Sequence, residues 1–333
     1  MRVTTPLKML SGAALSACLV IYAQYRRELG QAIAAVEAGG TLASTRAGPI
    51  EYAEAGHGEP LLLIHGAGGG YDQGLLVGRD LGKDFRIIAP SRFGYLKTPV
   101  PEDASIGKQA DAHAALLDHL HVSSCIVVGV SAGAPSAIEF ALRFPERTSA
   151  LILLVPRSYD PTAAIGPEEG LRSQAILRLV EASSDFLFWL ATKTWRSAVV
   201  RFLGVRREFE ANAPAAERAR VSEIMRSILP ISRRTRGIAL DSMAEIKPWS
   251  LEKIQAPTLV VSAADDLFRT LPGARYTAAR IPGAELVVLP SGGHLMVGQG
   301  GQVSARISEF LERACSAGCR LATGYAKRLV ASR

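Results

Sequence analysis

A chain of 333 residues, 48% of them hydrophobic and 21% charged, can bury a full core and carry one large domain with an insertion, which excludes a predominantly disordered protein. Its net charge of +7 belongs to the two ends: residues 1–50 hold five Lys and Arg against two acids, residues 312–333 hold five against one, and the 28 of each sign in between cancel. No basic stripe interleaved with aromatics accompanies that charge, so it points away from nucleic acid and fits an anionic membrane surface.

The first expected element is the uncharged run MLSGAALSACLVIYA, the fifteen residues 9–23, bracketed by Arg2 and Lys8 before it and by Arg26 and Arg27 after it. It falls short of the ~20 residues that a transmembrane helix needs. It closes on Ile21-Tyr22-Ala23, where Ile21 spoils a small-x-small cleavage site. Residues 1–47 are therefore expected to form a hydrophobic anchor or signal plus a connector, with membrane association through residues 9–25 and a place at the membrane or cell envelope. A cleaved or lipidated signal (Leu15-Ser16-Ala17-Cys18 resembles a lipobox), and a plain amphipathic helix on a cytoplasmic protein, are the other readings. Basic residues on both sides leave the orientation open.

From Pro49 onward, short apolar runs closed by Gly or Pro alternate with longer helical stretches. The runs are Leu61–Ile64, Phe85–Ala89, Cys125–Val130, Ala150–Val155, Thr258–Ser262 and Ala284–Leu289; helical spacing marks residues 105–120 and Ser136–Arg143. Continuous apolar runs suit strands buried on both faces, so the expected fold class is α/β, a doubly wound, mostly parallel sheet. The alternation stops at residues 157–246, where every pattern is helical, and this block reads as an insertion between two core halves, 48–156 and 247–312. Residues 313–333 read as a basic tail. The four cysteines lack CxxC or disulfide-framework spacing, although Cys315 and Cys319 would share a helix face.

Gly129-Val130-Ser131-Ala132-Gly133 fits G-x-S-x-G, with an apolar strand before it and a helix after it. A nucleophilic serine on so tight a turn needs small residues two positions to either side, so that strand and helix can approach. The serine needs a base, and of six histidines His294 in LPSGGHLMVG stands where a loop overlies the sheet's C-terminal edge; His113, His119 and His121 belong to a helix ahead of the turn, His57 to another turn, and His65 reads as structural. An acid between them in sequence comes from SAADD, which offers Asp265 and Asp266 after the run ending at Ser262, with Asp160 as a rival. Two N–H donors are needed for an oxyanion: Ala132, which follows the serine, and Ala67 in LLLIHGAGGG, where Gly66 and Gly68–Gly70 let the backbone turn inward. GAGGG lacks the Lys-Ser/Thr and the spacing of a phosphate loop.

Together HGAGGG (65–70), GVSAG (129–133), SAADD (262–266) and SGGH (291–294) resemble the α/β-hydrolase superfamily over roughly residues 48–312. The resemblance implies a Ser131, Asp265, His294 triad, Asp265 standing three residues after Ser262 where the family usually has Gly. It also implies oxyanion donors Ala67 and Ala132, a supporting loop with His65, Gly66, Gly129 and Gly133, and a lid or cap at 157–246. Ser91 also departs from the family, which often has Asp there. No metal or organic cofactor is required. The expected activity is hydrolysis of an ester-like bond of an apolar small molecule or lipid through an acyl-enzyme. An acyltransferase, a cofactor-free haloperoxidase-like enzyme and a silent membrane-tethered binding module are the alternatives. The cluster Phe186, Phe188, Trp189, Leu190, Trp195, Phe202 and Leu203 is expected to pack on the core and line an apolar acyl pocket, the second reading being a lid that sits in a bilayer interface beside the N-terminal segment and brings lipid esters to Ser131.

Overall fold

All six apolar runs become strands of one sheet, within two residues of the expected ends. In this computed structural model, residues 5–81, 84–162 and 184–316 are described, with side chains between 15 and 314. The strands are β1 (Thr41–Thr45), β2 (Gly48–Ala55), β3 (Glu59–Ile64), β4 (Phe85–Pro90), β5 (Cys125–Val130), β6 (Thr148–Leu154), β7 (Thr258–Ala263) and β8 (Glu285–Leu289). They lie in the order β1-β2-β4-β3-β5-β6-β7-β8, antiparallel at β1/β2 and β2/β4 and parallel elsewhere.

The reason for continuous apolar runs is visible in how each strand divides its side chains. Leu62, Ile64, Val127, Leu151, Leu153 and Val260 enter the core on one face; Leu61, Leu63, Ile126, Val128, Ile152 and Val261 enter the core on the other. The first face is covered by α3 (Ile106–His119) and α4 (Ala134–Arg143), through residues such as Leu116, Leu117 and Ile138. The second is covered by α2 (Tyr71–Arg79) and by the C-terminal helix Gly300–Ser316, through Val303, Ile307, Phe310 and Leu311. Each fully buried aliphatic side chain contributes about 1.5–3 kcal/mol of hydrophobic stabilisation. Helix α3 starts where its cap dictates: the Ser105 side chain accepts from the Lys108 N–H.

Two features depart from the expected organisation. The sheet begins at Thr41 rather than at residue 48, because β1 and β2 form a hairpin registered Thr45 against Gly48, with Arg46 and Ala47 at its tip. The residues before it form a single helix, α1 (Thr5–Gly39), in place of a separate hydrophobic run and loose connector. Gly39-Gly40 ends that helix against Tyr71. A Cβ on either glycine would come within 2.7 Å of the tyrosine ring or hydroxyl, and the hydroxyl donates to the Val36 carbonyl at 3.0 Å. Among the described residues no helix is long and apolar enough to cross a membrane. Cys125 is buried and Cys18 exposed. Cys319, expected to share a helix face with Cys315, and nearly all of the basic tail lie outside the described residues, as do residues 163–183 of the insertion.

The insertion between β6 and β7 is helical as expected, with α5 (Asp185–Thr194), α6 (Arg196–Phe202), α7 (Arg207–Asn212), α8 (Ala215–Ser227) and α9 (Thr235–Met243); the following core helices are α10 (Thr270–Arg280) and α11 (Gly300–Ser316). It carries its own small core of Val199, Val200, Val205, Val221 and Met225. Two buried ion pairs tie it to the sheet. Arg234, fully buried, donates to Asp72 Oδ2 at 2.7 Å and to the Gly69 carbonyl; Arg92 forks onto Asp241 at 2.6 and 2.7 Å.

Two histidines buried in this framework make stability depend on acid. Burial and the nearby Arg92 guanidinium hold His113 at about 3 and push His65 well below its ordinary value, so both are neutral in the fold. Once unfolded, each takes up a proton below about 6.5, so the unfolded state binds more protons and stability falls as pH drops from about 6.5 toward 3. Each histidine steepens that fall by up to about 1.4 kcal/mol per pH unit. His113→Leu is therefore expected to flatten it by one histidine's share, measured by urea denaturation at pH 7 and pH 5. An unchanged slope would show that His113 is not held neutral.

Candidate active site

The strand order fixes where a site can form. The chain leaves β3 for β4 on one side and returns to place β5 on the other, so the loops after β3 and β5 flank a topological switch point. Ile64 pairs with Gly129, which sets the end of β3 beside the start of the serine turn. Gly66 consequently lies against the serine: a Cβ there would stand 3.2 Å from Ser131 Cβ.

Ser131 adopts φ 49°, a left-handed conformation that costs a non-glycine residue of order 1–3 kcal/mol and lifts its side chain clear of both strand and helix. Its flanking glycines are required by contact. A Cβ on Gly129 would sit 2.6 Å from Ala137 Cβ and 2.8 Å from Ala134 Cα; one on Gly133 would sit 2.4 Å from the Ile64 carbonyl oxygen and 2.6 Å from that of His65. After a turn at Ser131–Gly133, α4 begins with Pro135 in its first turn, where a missing N–H costs nothing. The N-terminus of α4, with the Ala132 N–H in the turn that leads into it, thus faces the serine.

His294 completes the reach from the other half of the sheet. Its Nε2 lies 2.8 Å from Ser131 Oγ, and its Nδ1 lies 2.8 Å from Asp266 Oδ2. The aspartate paired with the histidine is Asp266, not Asp265 as the family spacing implied. Strand β7 ends at Ala263, and both aspartates lie in the turn that follows it. The Asp265 carboxylate then faces the glycine loop and accepts from Gly292 N at 3.2 Å and Gly293 N at 2.9 Å, shaping the loop that carries His294. Asp160, the other rival, accepts from Thr162 in its own loop.

Burial pushes the Asp266 carboxyl up, but hydrogen bonds from His294, from Thr270 Oγ1 at 2.6 Å and from Phe268 N at 2.8 Å outweigh it and leave it below its ordinary value. Because Thr270 spends its proton on Asp266, Ser262 donates to Thr270 across 3.0 Å. The departure at Ser262 thus extends the line of hydrogen bonds: Ser262, Thr270, Asp266, His294, Ser131. Ser91, the second departure, donates to the buried Glu51 carboxylate at 2.9 Å; an aspartate there would meet a second buried carboxylate.

His65 is structural. Its Nδ1–H donates to the Gly66 carbonyl at 2.7 Å and its Nε2 accepts from Arg92 N at 3.0 Å, which shapes the loop bearing Ala67. Ala67 is exposed in an otherwise buried loop beside the serine. Sequence reasoning missed Gly204 in the insertion. Its carbonyl accepts from both Leu267 N and His294 N, at 3.2 and 3.1 Å, and it approaches so closely that a Cβ would lie 2.5 Å from His294 Cβ. Its φ of +83° and its place at a helix end are consistent with many glycines, so no local signal distinguished it. The aromatic cluster is also placed differently. Phe186 and Trp189 pack on Tyr25 of α1, Phe188 and Leu203 pack on the insertion's own small core, and Trp195 and Phe202 are 64% and 47% exposed. The ring that stacks edge-on against His294 is Phe268.

A family model of the alpha/beta hydrolase fold matches residues 59–300. An alpha/beta hydrolase fold protein from Nakamurella multipartita superposes with a TM-score of 0.64 at 31% identity, over 83% of this chain and 99% of that one. The hydrolase YcgS of Bacillus subtilis, itself uncharacterized, is 28% identical over 266 residues, which is 75% of this chain and 89% of the relative. A 2-hydroxy-6-oxo-6-phenylhexa-2,4-dienoate hydrolase of Burkholderia cepacia is 27% identical over 263 residues, 74% of this chain and 84% of that one. This chain belongs to the α/β-hydrolase family and is a hydrolase.

Proposed function

We propose that the protein is a serine hydrolase that cleaves an ester-like bond of an apolar small molecule or lipid through an acyl-enzyme. The observation that carries this reading is the unbroken series from Ser131 Oγ through His294 to Asp266, with both contacts at 2.8 Å. His294 Nε2 takes the serine proton as Oγ attacks the carbonyl, and Asp266 holds the imidazole in the required tautomer and stabilises its cation. The N–H groups of Ala67 and Ala132 receive the oxyanion, each such donor being worth about 10²–10³ in rate. His294 then protonates the leaving alkoxide and activates water for deacylation, and no metal or organic cofactor enters these steps. A thermophilic esterase from Thermogutta terrifontis, 25% identical with a TM-score of 0.63, supports ester chemistry. The dienoate hydrolase of Burkholderia cepacia favours a second reading, cleavage of a carbon–carbon bond beside a ketone by the same residues.

The test is labelling with a fluorophosphonate probe, followed by turnover of p-nitrophenyl esters of increasing chain length beside 2-hydroxy-6-oxo-6-phenylhexa-2,4-dienoate. The expected result is labelling of the wild type, its loss in Ser131→Ala and His294→Ala, and turnover of esters in preference to the dienoate. Preference for the dienoate would favour the second reading. A folded wild type that takes up no probe would overturn both and leave a binding module.

A further inference from the structure

Helix α1 carries a surface that the enzymatic reading does not use. Leu15, Leu19, Val20, Ile21 and Tyr22 are each between 41% and 66% exposed. Four of them are consecutive, and at about 100° per residue four consecutive helical positions face all round the axis. A groove on a partner chain covers one face of a helix, whereas a lipid phase covers every side.

The charges select the kind of lipid. No acid occurs before Glu28, while Arg2 and Lys8 precede the apolar run and Arg26 and Arg27, both exposed, follow it. That arrangement suits anionic headgroups. The length selects the depth. Fifteen uncharged residues, 9–23, make about 22 Å of helix at 1.5 Å each, less than the ~30 Å of a hydrocarbon core, in keeping with the absence among the described residues of a helix able to cross it.

The same helix is joined firmly to the insertion. Tyr25 packs on Phe186 and Trp189 with ring centroids 5.1 and 5.6 Å apart. Glu28 accepts from the Trp189 indole N–H at 2.8 Å and from Lys193 Nζ at 3.0 Å, and its carboxyl stays below its ordinary value because these bonds outweigh burial. Further along, Glu37 pairs with Arg233 at 2.7 Å. Leu187, on the α5 turn next to Tyr25's partners, is 55% exposed.

We propose that residues 9–23 of α1 insert into one leaflet of an anionic bilayer, with Tyr22, Tyr25 and the start of α5 at headgroup level, so that the helical insertion over Ser131 is held facing the membrane. The anchor is thus a rigid extension of the body and not a flexible tether.

Co-flotation of the full chain with vesicles of phosphatidylcholine alone, or mixed with phosphatidylglycerol, tests this independently of hydrolysis. The protein is expected to float with both, and more strongly with the anionic vesicles. Leu19→Glu with Val20→Glu should reduce flotation at least about tenfold, since two carboxylates would enter hydrocarbon. Arg26→Ala with Arg27→Ala should weaken the preference for phosphatidylglycerol while leaving flotation with phosphatidylcholine alone unchanged. Far-UV circular dichroism and the urea-denaturation midpoint should be the same in all variants, which reports that they are folded. Absence of flotation by folded protein, or equal flotation by the Glu variant, would overturn the proposal. So would a soluble oligomer that the Glu variant dissolves, which would mean that a second copy covers this surface.

Discussion

Asp266→Asn is expected to lower kcat for a p-nitrophenyl ester by about 10⁴ with little change in KM, the scale reported by the equivalent exchange in serine proteases. Asp266 Oδ1 takes the Phe268 N–H, so an asparagine keeps its carbonyl oxygen there and turns its amide NH₂ toward His294. The NH₂ would donate to Nδ1, force the proton onto Nε2, and leave the imidazole unable to accept the proton of Ser131. Asp265→Asn removes one of two acceptors from the glycine loop and should cost about 1–2 kcal/mol of stability, with most of the activity retained. Steady-state kinetics and urea denaturation of both variants decide the matter. If the asparagine at 265 were the inactive one, the carboxylate implied by family spacing would be the catalytic one after all.

Gly133→Ala carries the largest expected loss of stability, about 3 kcal/mol, because the atoms in its way cannot swing aside. The new Cβ would lie 2.4 and 2.6 Å from the backbone oxygens of Ile64 and His65, so β3 and the loop after it must move. That loop carries Gly66 and Ala67, and a displacement of about 1 Å there is enough to cost about 10² in kcat. Gly107→Ala is the control. It sits inside α3, its Cβ would meet only the Arg143 guanidinium at 3.4 Å, and alanine should stabilise that helix by up to about 1 kcal/mol. Equal stability of the Gly133 variant and the wild type would show that the close packing of the serine turn on β3 is not required.

The sheet was readable because its strands are buried on both faces. Such strands need apolar residues without interruption, and β3, β4, β5, β6 and β7 stand out as continuous runs within two residues of their true ends. Strands β1 and β2 were not read, since they pair antiparallel at one end of the sheet and mix exposed with buried positions, so TLAST and GPIEYAEA show no run at all. The insertion was readable as helix. The partners of Phe186 and Trp189 were not, because they come from α1, far earlier in the chain.

Within the site, Ser131 and His294 were legible from local chemistry: a serine between glycines at a strand-to-helix turn, and a histidine in a glycine loop after the last strand. These positions depend on neighbours in sequence, which a sequence displays. The choice between Asp265 and Asp266 depends on the course of the turn after β7. That is set by its pairing with β8, where Ala263 meets Leu289, and by Thr270 a helix turn later. The parts played by Gly204, Arg234 and Thr270 likewise come from contacts between segments far apart in the chain. Sequence by itself thus determined the fold, the serine and the histidine, because periodicity and turn chemistry are local. Only the tertiary structure decided which carboxylate faces the histidine, because both lie in a turn beyond β7 whose course is fixed by contacts with Thr270 and with the glycine loop.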